Sequence, residues 1–266
     1  MRNTPSGRPA FVGSLLFGAA LSLSGQSAVP LGTAASFAVL GATPNVTNTG
    51  PTVVTGDLGV SPAASVTGFP PGVVVGAIHL ADAVAAQAQL DLGAAITDAS
   101  GRPCPGGNNL TGQVLGSGGT ILTLVPGVYC FASTAQLTGD LVLNGSGIYI
   151  FQIGTSLTTA SASSVTLTNG ASACNVSWIV GSSATIGTTT NFAGSILAVA
   201  SITANTGAHI NGRMLARTAT VTMDTNTVST CAIGPGPGGL PTLSPFALAI
   251  LAAGLSAAAL LALRRP

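Results

Sequence analysis

The chain of 266 residues carries very little charge: seven Lys and Arg stand against six Asp and Glu, 5% of all residues, while 47% are hydrophobic. Between residues 29 and 232 there is no Lys and no Glu, only Arg102, Arg213 and Arg217 with Asp57, Asp82, Asp91, Asp98, Asp140 and Asp224, a formal charge of −3. A surface so poor in cations excludes nucleic acid and anionic membrane as partners. The regular spacing of Val, Ile and Leu in a background of Gly, Ser, Thr and Ala argues against a disordered chain.

The first element reads as a targeting segment. Arg2 and Arg8 precede an apolar run from Ala10 to Leu23, and small residues follow from Ser24 to Ala28, the order of a secretory signal peptide over 1–28. That run is short for a membrane span; an uncleaved anchor is the alternative. Phe37 to Leu40 and Val53 to Val60 then read as the first strands. From Ala77 to Asp98 the residues Ile78, Ala81, Ala85, Ala88, Leu92 and Ala95 recur at helical spacing. Pro70-Pro71 before this stretch and Gly101 after it bound a predicted helix over about 77–98. Gln136 to Leu143 and Ile148 to Ile153 return to strand character.

Further along, the chain repeats itself. Segments beginning at Ser164, Ser183, Ser201 and Thr220 follow one another at an almost constant interval, and in each an apolar residue alternates with Ser or Thr. This is the period of a strand with one buried face. Val165, Leu167, Ala184, Ile186, Ile202, Ala204, Val221 and Met223 point inward and the hydroxyl residues outward. A second strand recurs at the same interval at Trp178, Ile196 and Met214, with Gly194 and Gly212 at corners that need unusual backbone angles. A coil of about 18 residues with two or three short strands is a turn of a β-solenoid, whose stacked coils bury one continuous core. A helix as long as the one predicted cannot be such a coil, so it must lie along one flank and cover an apolar side.

The domain therefore spans 29–232. A linker of Gly and Pro follows at 233–239, and 240–266 holds Leu240-Pro241-Thr242-Leu243-Ser244, an apolar run from Phe246 to Leu263 and Arg264-Arg265. The run is just long enough to span a bilayer, with the arginines cytoplasmic. This tail resembles the bacterial sorting signals built from a Pro-Thr-Leu motif, a terminal helix and a basic cluster, although Leu240 stands where Ile is usual and Pro245-Phe246 where an acidic-Trp pair is common. The resemblance implies a membrane sorting enzyme as partner; a permanent C-terminal anchor is the plain alternative. Cys104, Cys130, Cys174 and Cys231 form an even set behind a signal peptide, which favours disulfides. Of the three connectivities, Cys104 with Cys130 and Cys174 with Cys231 is preferred because each pair joins neighbouring segments. No two cysteines are as close in sequence as zinc-ligand pairs are, so no metal site is expected.

Phe37-Ala38-Val39-Leu40-Gly41, Thr55 to Pro62, Pro126-Gly127-Val128-Tyr129-Cys130, Phe151-Gln152-Ile153-Gly154, and Asn211-Gly212-Arg213 with Leu215-Ala216 together resemble the microbial ice-binding protein family over nearly all of residues 30 to 231. The resemblance implies a mainly β fold: a discontinuous right-handed β-solenoid of triangular section with one long α-helix alongside. It also implies that a flat face bearing Thr, Ser, Ala and Gly adsorbs to ice.

Ser164, Thr166, Ser183, Thr185, Ser201, Thr203, Thr220 and Thr222 are the candidate face residues. Such a ladder holds methyl and hydroxyl groups in a regular grid, about 4.7–4.9 Å between coils and about 6.5–7 Å along a strand. The competing reading is that Thr simply suits exposed strands. Asn205 and Asp224 interrupt the ladder, and a charge there is costly to desolvate. His79, assigned to the helix, and His209, near a corner, read as ordinary surface or packing residues. Arg213, Arg217 and Asp224 admit a catalytic remnant, since some β-solenoids are polysaccharide lyases, but corner hydrogen bonds or an Arg–Asp pair explain them more simply. There is no nucleophile motif, no usefully spaced carboxylate pair and no phosphate loop. The expectation is a monomeric, exported, non-enzymatic protein of the cell exterior or envelope, acting on the ice surface without a cofactor. The rival is an envelope adhesin or structural module that binds glycan or matrix.

Overall fold

A computed structural model of the chain describes residues 26–117 and 122–231. The expected signal peptide, linker and terminal apolar run lie almost wholly outside that range. Among the described residues no helix is long and apolar enough to cross a membrane.

Among the described residues the fold is mainly β, with three eight-stranded parallel sheets and one α-helix. Each coil contributes one strand to each sheet in turn. The first coil comprises β1 (Phe37–Gly41), β2 (Val46–Thr49) and β3 (Val53–Thr55), and the second β4 (Asp57–Val60), β5 (Val66–Thr67) and β6 (Val73–Val75). After β7 (Ile78–Leu80) the chain enters α1 (Ala83–Ser100). It resumes with β8 (Val114–Leu115) and β9 (Leu122–Leu124), then β10 (Gly127–Phe131), β11 (Ala135–Leu137) and β12 (Asp140–Asn144). The coils of β13 (Tyr149–Ile153), β14 (Leu157–Thr159) and β15 (Ser164–Thr168), and of β16 (Val176–Val180), β17 (Ala184–Ile186) and β18 (Asn191–Ala193), follow. The last two are β19 (Ser195–Ala198), β20 (Ile202–Ala204) and β21 (His209–Asn211), then β22 (Met214–Ala216), β23 (Val221–Asp224) and β24 (Thr227–Ser229).

Stacking order departs from chain order at one place. β1, β2 and β3 pair with β22, β23 and β24, so the N-terminal coils continue the stack beyond the C-terminal one. The chain must then cross to the opposite end to start β8, and α1 makes that crossing. From β7 to β13 in the first sheet there are six strand spacings, roughly 29 Å at about 4.8 Å each. Eighteen helical residues rise about 27 Å, so the helix is as long as the climb requires.

The helix also explains why first-sheet strands are apolar on both sides. Trp178, Val176 and Val180 of β16 point into the solenoid, while Ile179 points out against the helix. Leu40, Val128, Ile150, Leu197 and Leu215 form the rest of that outer stripe, covered by Ala88, Leu92, Ala95 and Ala99. Gln89 ties the helix down, its Nε2 donating to the Gly41 and Ala216 carbonyls at 2.8 and 3.1 Å. Gln152 Nε2 donates to the carbonyls of Ala99 and Arg102 at 2.7 and 2.8 Å, closing the helix C-terminus.

The helix starts later than its periodicity suggests, at Ala83 rather than near Ala77. Ile78 to Leu80 pair with Leu58 to Val60 as β7, Ala81 turns at φ +49°, and Asp82 caps α1 by accepting the Ala85 N–H at 2.8 Å. Ile78 and Ala81 merely share the helical spacing, and His79 belongs to a strand. Inside the solenoid, Tyr129, Phe151, Trp178 and Phe192 stack with ring centroids 5.4, 3.9 and 5.1 Å apart. Trp178 Nε1 donates to the Ala193 carbonyl at 3.1 Å, so its polar atom is satisfied where the ring is wholly buried. Gly194 and Gly212 take φ +112° and +152° at successive corners, as their spacing suggested.

The threonine face and its surroundings

Of the three outer surfaces, the first is covered by α1. The second is built from the row of residues that point outward at the centre of each second-sheet strand. Register places Thr67, Thr47, Thr222, Thr203, Thr185 and Thr158 side by side in six consecutive coils, followed by Gln136 and Val114 at the far end. Thr67 and Thr158 are exposed and the four between them half-buried by their neighbours. Two positions before each threonine, just ahead of the strand, the chain presents a parallel row, Ser65, Asn45, Thr220, Ser201, Ser183 and Ser156. Hydroxyls link along the rows: Thr47 Oγ1 donates to Thr222 Oγ1 at 3.3 Å, Ser201 Oγ to Ser183 Oγ at 2.9 Å, and Thr220 Oγ1 to the Asn45 carbonyl at 2.7 Å.

Six of the eight candidate residues thus share this surface: Ser183, Thr185, Ser201, Thr203, Thr220 and Thr222. Ser164 and Thr166 do not. They lie on β15 in the third sheet, where Ser164 pairs with Asp140 and Asn191 and donates its hydroxyl to Asp140 Oδ1 at 2.6 Å. The cause is coil length. The coil that runs from Tyr149 to the start of β16 at Val176 is markedly longer than the next, which runs from Val176 to the start of β19 at Ser195. The segment that aligns by count with Ser183 therefore falls one sheet later. The true counterpart of Thr185 there is Thr158. Thr158, Thr47 and Thr67, outside the candidate set, lie in the same row, and Leu157-Thr158, Val46-Thr47 and Val66-Thr67 carry the same apolar–hydroxyl alternation.

The corners beside the second sheet are pinned from within. Asn226 accepts the Asp224 N–H at 2.7 Å and donates to the Asn205 carbonyl at 2.8 Å; Asn48 donates to the Gly50 and Gly68 carbonyls, both at 2.8 Å. Between the longer coil and the next, the buried hydroxyls of Thr159 and Thr190 meet at 3.2 Å, and Thr159 Oγ1 accepts the Gly187 N–H at 2.8 Å. Asp224 sits at the end of β23, its carboxylate bonded to the Thr206 and Thr225 hydroxyls, at the border of the face rather than within it. The third sheet presents a mixed surface, with Asp140, Ser164, Asn191, His209, Thr227, Val53 and Val73 in one row.

Residues 40–229 match a family model described as ice-binding-like. The chain belongs to the ice-binding-like family. It is 51% identical over 232 residues to an ice-binding protein of Nostoc sp. (strain HG1), a match covering 85% of this chain and 83% of that protein. It is 35% identical over 240 residues to an ice-binding protein of Colwellia sp., covering 83% and 90%. The crystal structure of the ice-binding protein of the Antarctic ascomycete Antarctomyces psychrotrophicus superposes with a TM-score of 0.72 at 41% identity, over 77% of this chain and 98% of that one. That of an ice-binding protein from an Antarctic biological consortium does so with a TM-score of 0.73 at 42% identity, over 78% and 93%.

In this member of the ice-binding-like family Arg213, His79 and the four cysteines hold the fold together. Buried Arg213 donates to the Ala35 carbonyl from Nε at 2.9 Å and Nη2 at 2.8 Å, and to Ser195 Oγ from Nη1 at 3.3 Å; burial lowers its pKa. It is a corner anchor, with no bond to Asp224. His79 Nδ1 lies 2.7 Å from Asp82 Oδ2 beside the helix cap. Cys104 is bonded to Cys130 and Cys174 to Cys231, with Cα separations of 6.2 and 5.3 Å. Among the described residues no three His, Cys, Asp or Glu side chains gather as metal ligands.

Proposed function

We propose that this protein binds ice through the outer face of its second sheet, without catalysis and without a cofactor, as a monomer. The observation that carries the reading is the unbroken, in-register row of six threonines with a parallel row of small polar residues beside it. Methyl groups at a fixed repeat exclude disordered water, while hydroxyls and backbone hold ordered water, so the surface carries a partial lattice before it meets the crystal. Each contact is weak. The sum survives only if little ordering entropy is lost on docking, which favours β-branched Thr, stiff at χ1, on a sheet pinned at its corners. The related proteins named as ice-binding support the same reading.

A triangular section follows naturally from three sheets per coil, and right-handed parallel crossovers are the general rule; we take both to hold here. Export to the cell exterior or envelope, with the tail read by a sorting enzyme, is supported by the basic and apolar start of the chain and by disulfides suited to an oxidising compartment. The functional test is direct. Purified protein should facet or arrest a growing ice crystal, and Thr203→Tyr, which places a ring in the middle of the row, should abolish that effect with little change in melting temperature. Normal disc growth with the unaltered protein at high concentration overturns the proposal.

A further inference from the structure

On the third sheet the stack opens. The pairing of β15 with β18 is confined to Ser164 with Asn191, whereas β12 and β15 pair along their whole length from Asp140 to Asn144. The long coil that holds β15 here abuts a shorter one, and β15 turns away into residues 169–175 instead of following its neighbour. The wedge leaves a depression of about 370 Å³ floored by Val165, Leu167 and Phe192 and walled by Asn191, His209 and Asn211. It shares Asn211 and Ser229 with a second depression of about 630 Å³ that runs past Ser172 and Thr230 to Cys231.

We propose that this groove is a second binding site, for a neutral oligosaccharide, separate from the threonine face. Among the described residues the side chains of Asn191, His209, Asn211, Thr227 and Ser229 make no hydrogen bond within the protein, unlike Asn48 and Asn226, which are spent on corner carbonyls. Register sets the free groups in a grid: Asn191 beside His209 beside Thr227, and Asn211 beside Ser229. Planar amides and hydroxyls at strand spacing, next to an apolar strip, suit a ring with hydroxyls at its rim and C–H groups on its face. No Asp, Glu, Lys or Arg lines either depression, so apart from the His209 imidazole an acidic sugar or a phosphate finds no counter-charge. The wedge is closed at its Ser164–Asn191 end, so an extended peptide cannot run through it as an added strand, whereas a compact ring can enter from the open side. Because the groove and the threonine row lie on different sheets, one molecule can hold both ligands and join ice to a surrounding polysaccharide.

The single Trp of the chain, Trp178, packs on Phe192 of the groove floor with centroids 5.1 Å apart, and so reports on occupancy. The purified full chain is titrated with tetra- to hexasaccharide fragments of β-1,4-glucan, β-1,4-xylan, β-1,4-mannan and α-1,6-glucan, and with an oligogalacturonate, by calorimetry and Trp emission. At least one neutral series should saturate below about 1 mM, with the oligogalacturonate at least about tenfold weaker. Asn211→Leu and Asn191→Leu should each raise that Kd at least about tenfold. Melting temperature and ice-crystal shaping should stay as in the unaltered protein, which separates this site from the ice-binding one. No saturable binding of any neutral fragment at about 10 mM overturns the proposal. So does a Kd that neither Asn variant changes, or tighter binding of the acidic oligomer.

Discussion

Asp82 and Asp91 each make two kinds of contact that hold the helix in place. Asp82 accepts the Ala85 N–H at the helix start and faces His79; Asp91 accepts the Thr33 N–H at 2.7 Å, joining the helix to the turn before β1, and the Gln87 amide at 2.8 Å. Backbone hydrogen bonds to the ionised carboxylates are the main reason both pKa values lie below the ordinary Asp value, with the His79 and Gln87 side chains adding to it. The sign follows from linkage: the unfolded chain binds the proton first, so the contribution is complete above the ordinary Asp value and drains away as pH falls through the lower folded value. Thermal melts from about pH 7 to about pH 2 should therefore show an acid limb that is shallower in a D82A/D91A variant; equal limbs would assign the acid sensitivity to other carboxylates. Asp82 as helix cap was readable beforehand, since Asp just ahead of a run of Ala is a start signal. The apparent period that reached back to Ile78 hid it.

Inward and outward residues along each strand were legible, because a period of two is fixed by backbone geometry. Membership of a face was not, because it depends on coil length. Counting one period back from Ser183 leads to β15 on the third sheet, while the partner of Thr185 in the preceding coil is Thr158, well beyond one period. Thr47 and Thr222 lie 175 residues apart in sequence yet share a hydrogen bond, and no local repeat can reveal that. The two assignments make opposite predictions. Thr158→Tyr places a ring at the end of the six-threonine row and should reduce ice-crystal shaping, though less than Thr203→Tyr does in its middle. Thr166→Tyr places the same ring on the third sheet and should leave it unchanged, with both variants melting within about a degree or two of the unaltered protein, as exposed substitutions do. Loss of shaping with Thr166→Tyr but not Thr158→Tyr would move the site to the third sheet.

At the scale of the whole molecule, the last coil in sequence is not the last in space. β22, β23 and β24 are paired on one side with β19, β20 and β21 and on the other with β1, β2 and β3. The true ends of the stack are β5, β6 and β7 on one side and β8, β9 and β10 on the other. In a simple solenoid each unit touches only its neighbours, and the terminal coil frays first because it loses a single interface on opening. Here opening β22–β24 breaks two interfaces and frees Arg213 from Ala35, while Cys231, just beyond β24, is held to Cys174. Docking the N-terminal coils on the C-terminal one also demands that residues far apart in sequence meet, which makes the C-terminal coil late to form yet deep once formed. Hydrogen exchange separates the two pictures. Amides of Met214–Ala216 and Val221–Met223 should be among the slowest in the chain, exchanging near the rate of global unfolding, while those of Val73–Val75 and Leu122–Leu124 open earlier through local fluctuations. If instead exchange quickens steadily from β19 toward β24, the N-terminal coils are not docked on the C-terminal one, and the threonine row ends at Thr222 with four members instead of six.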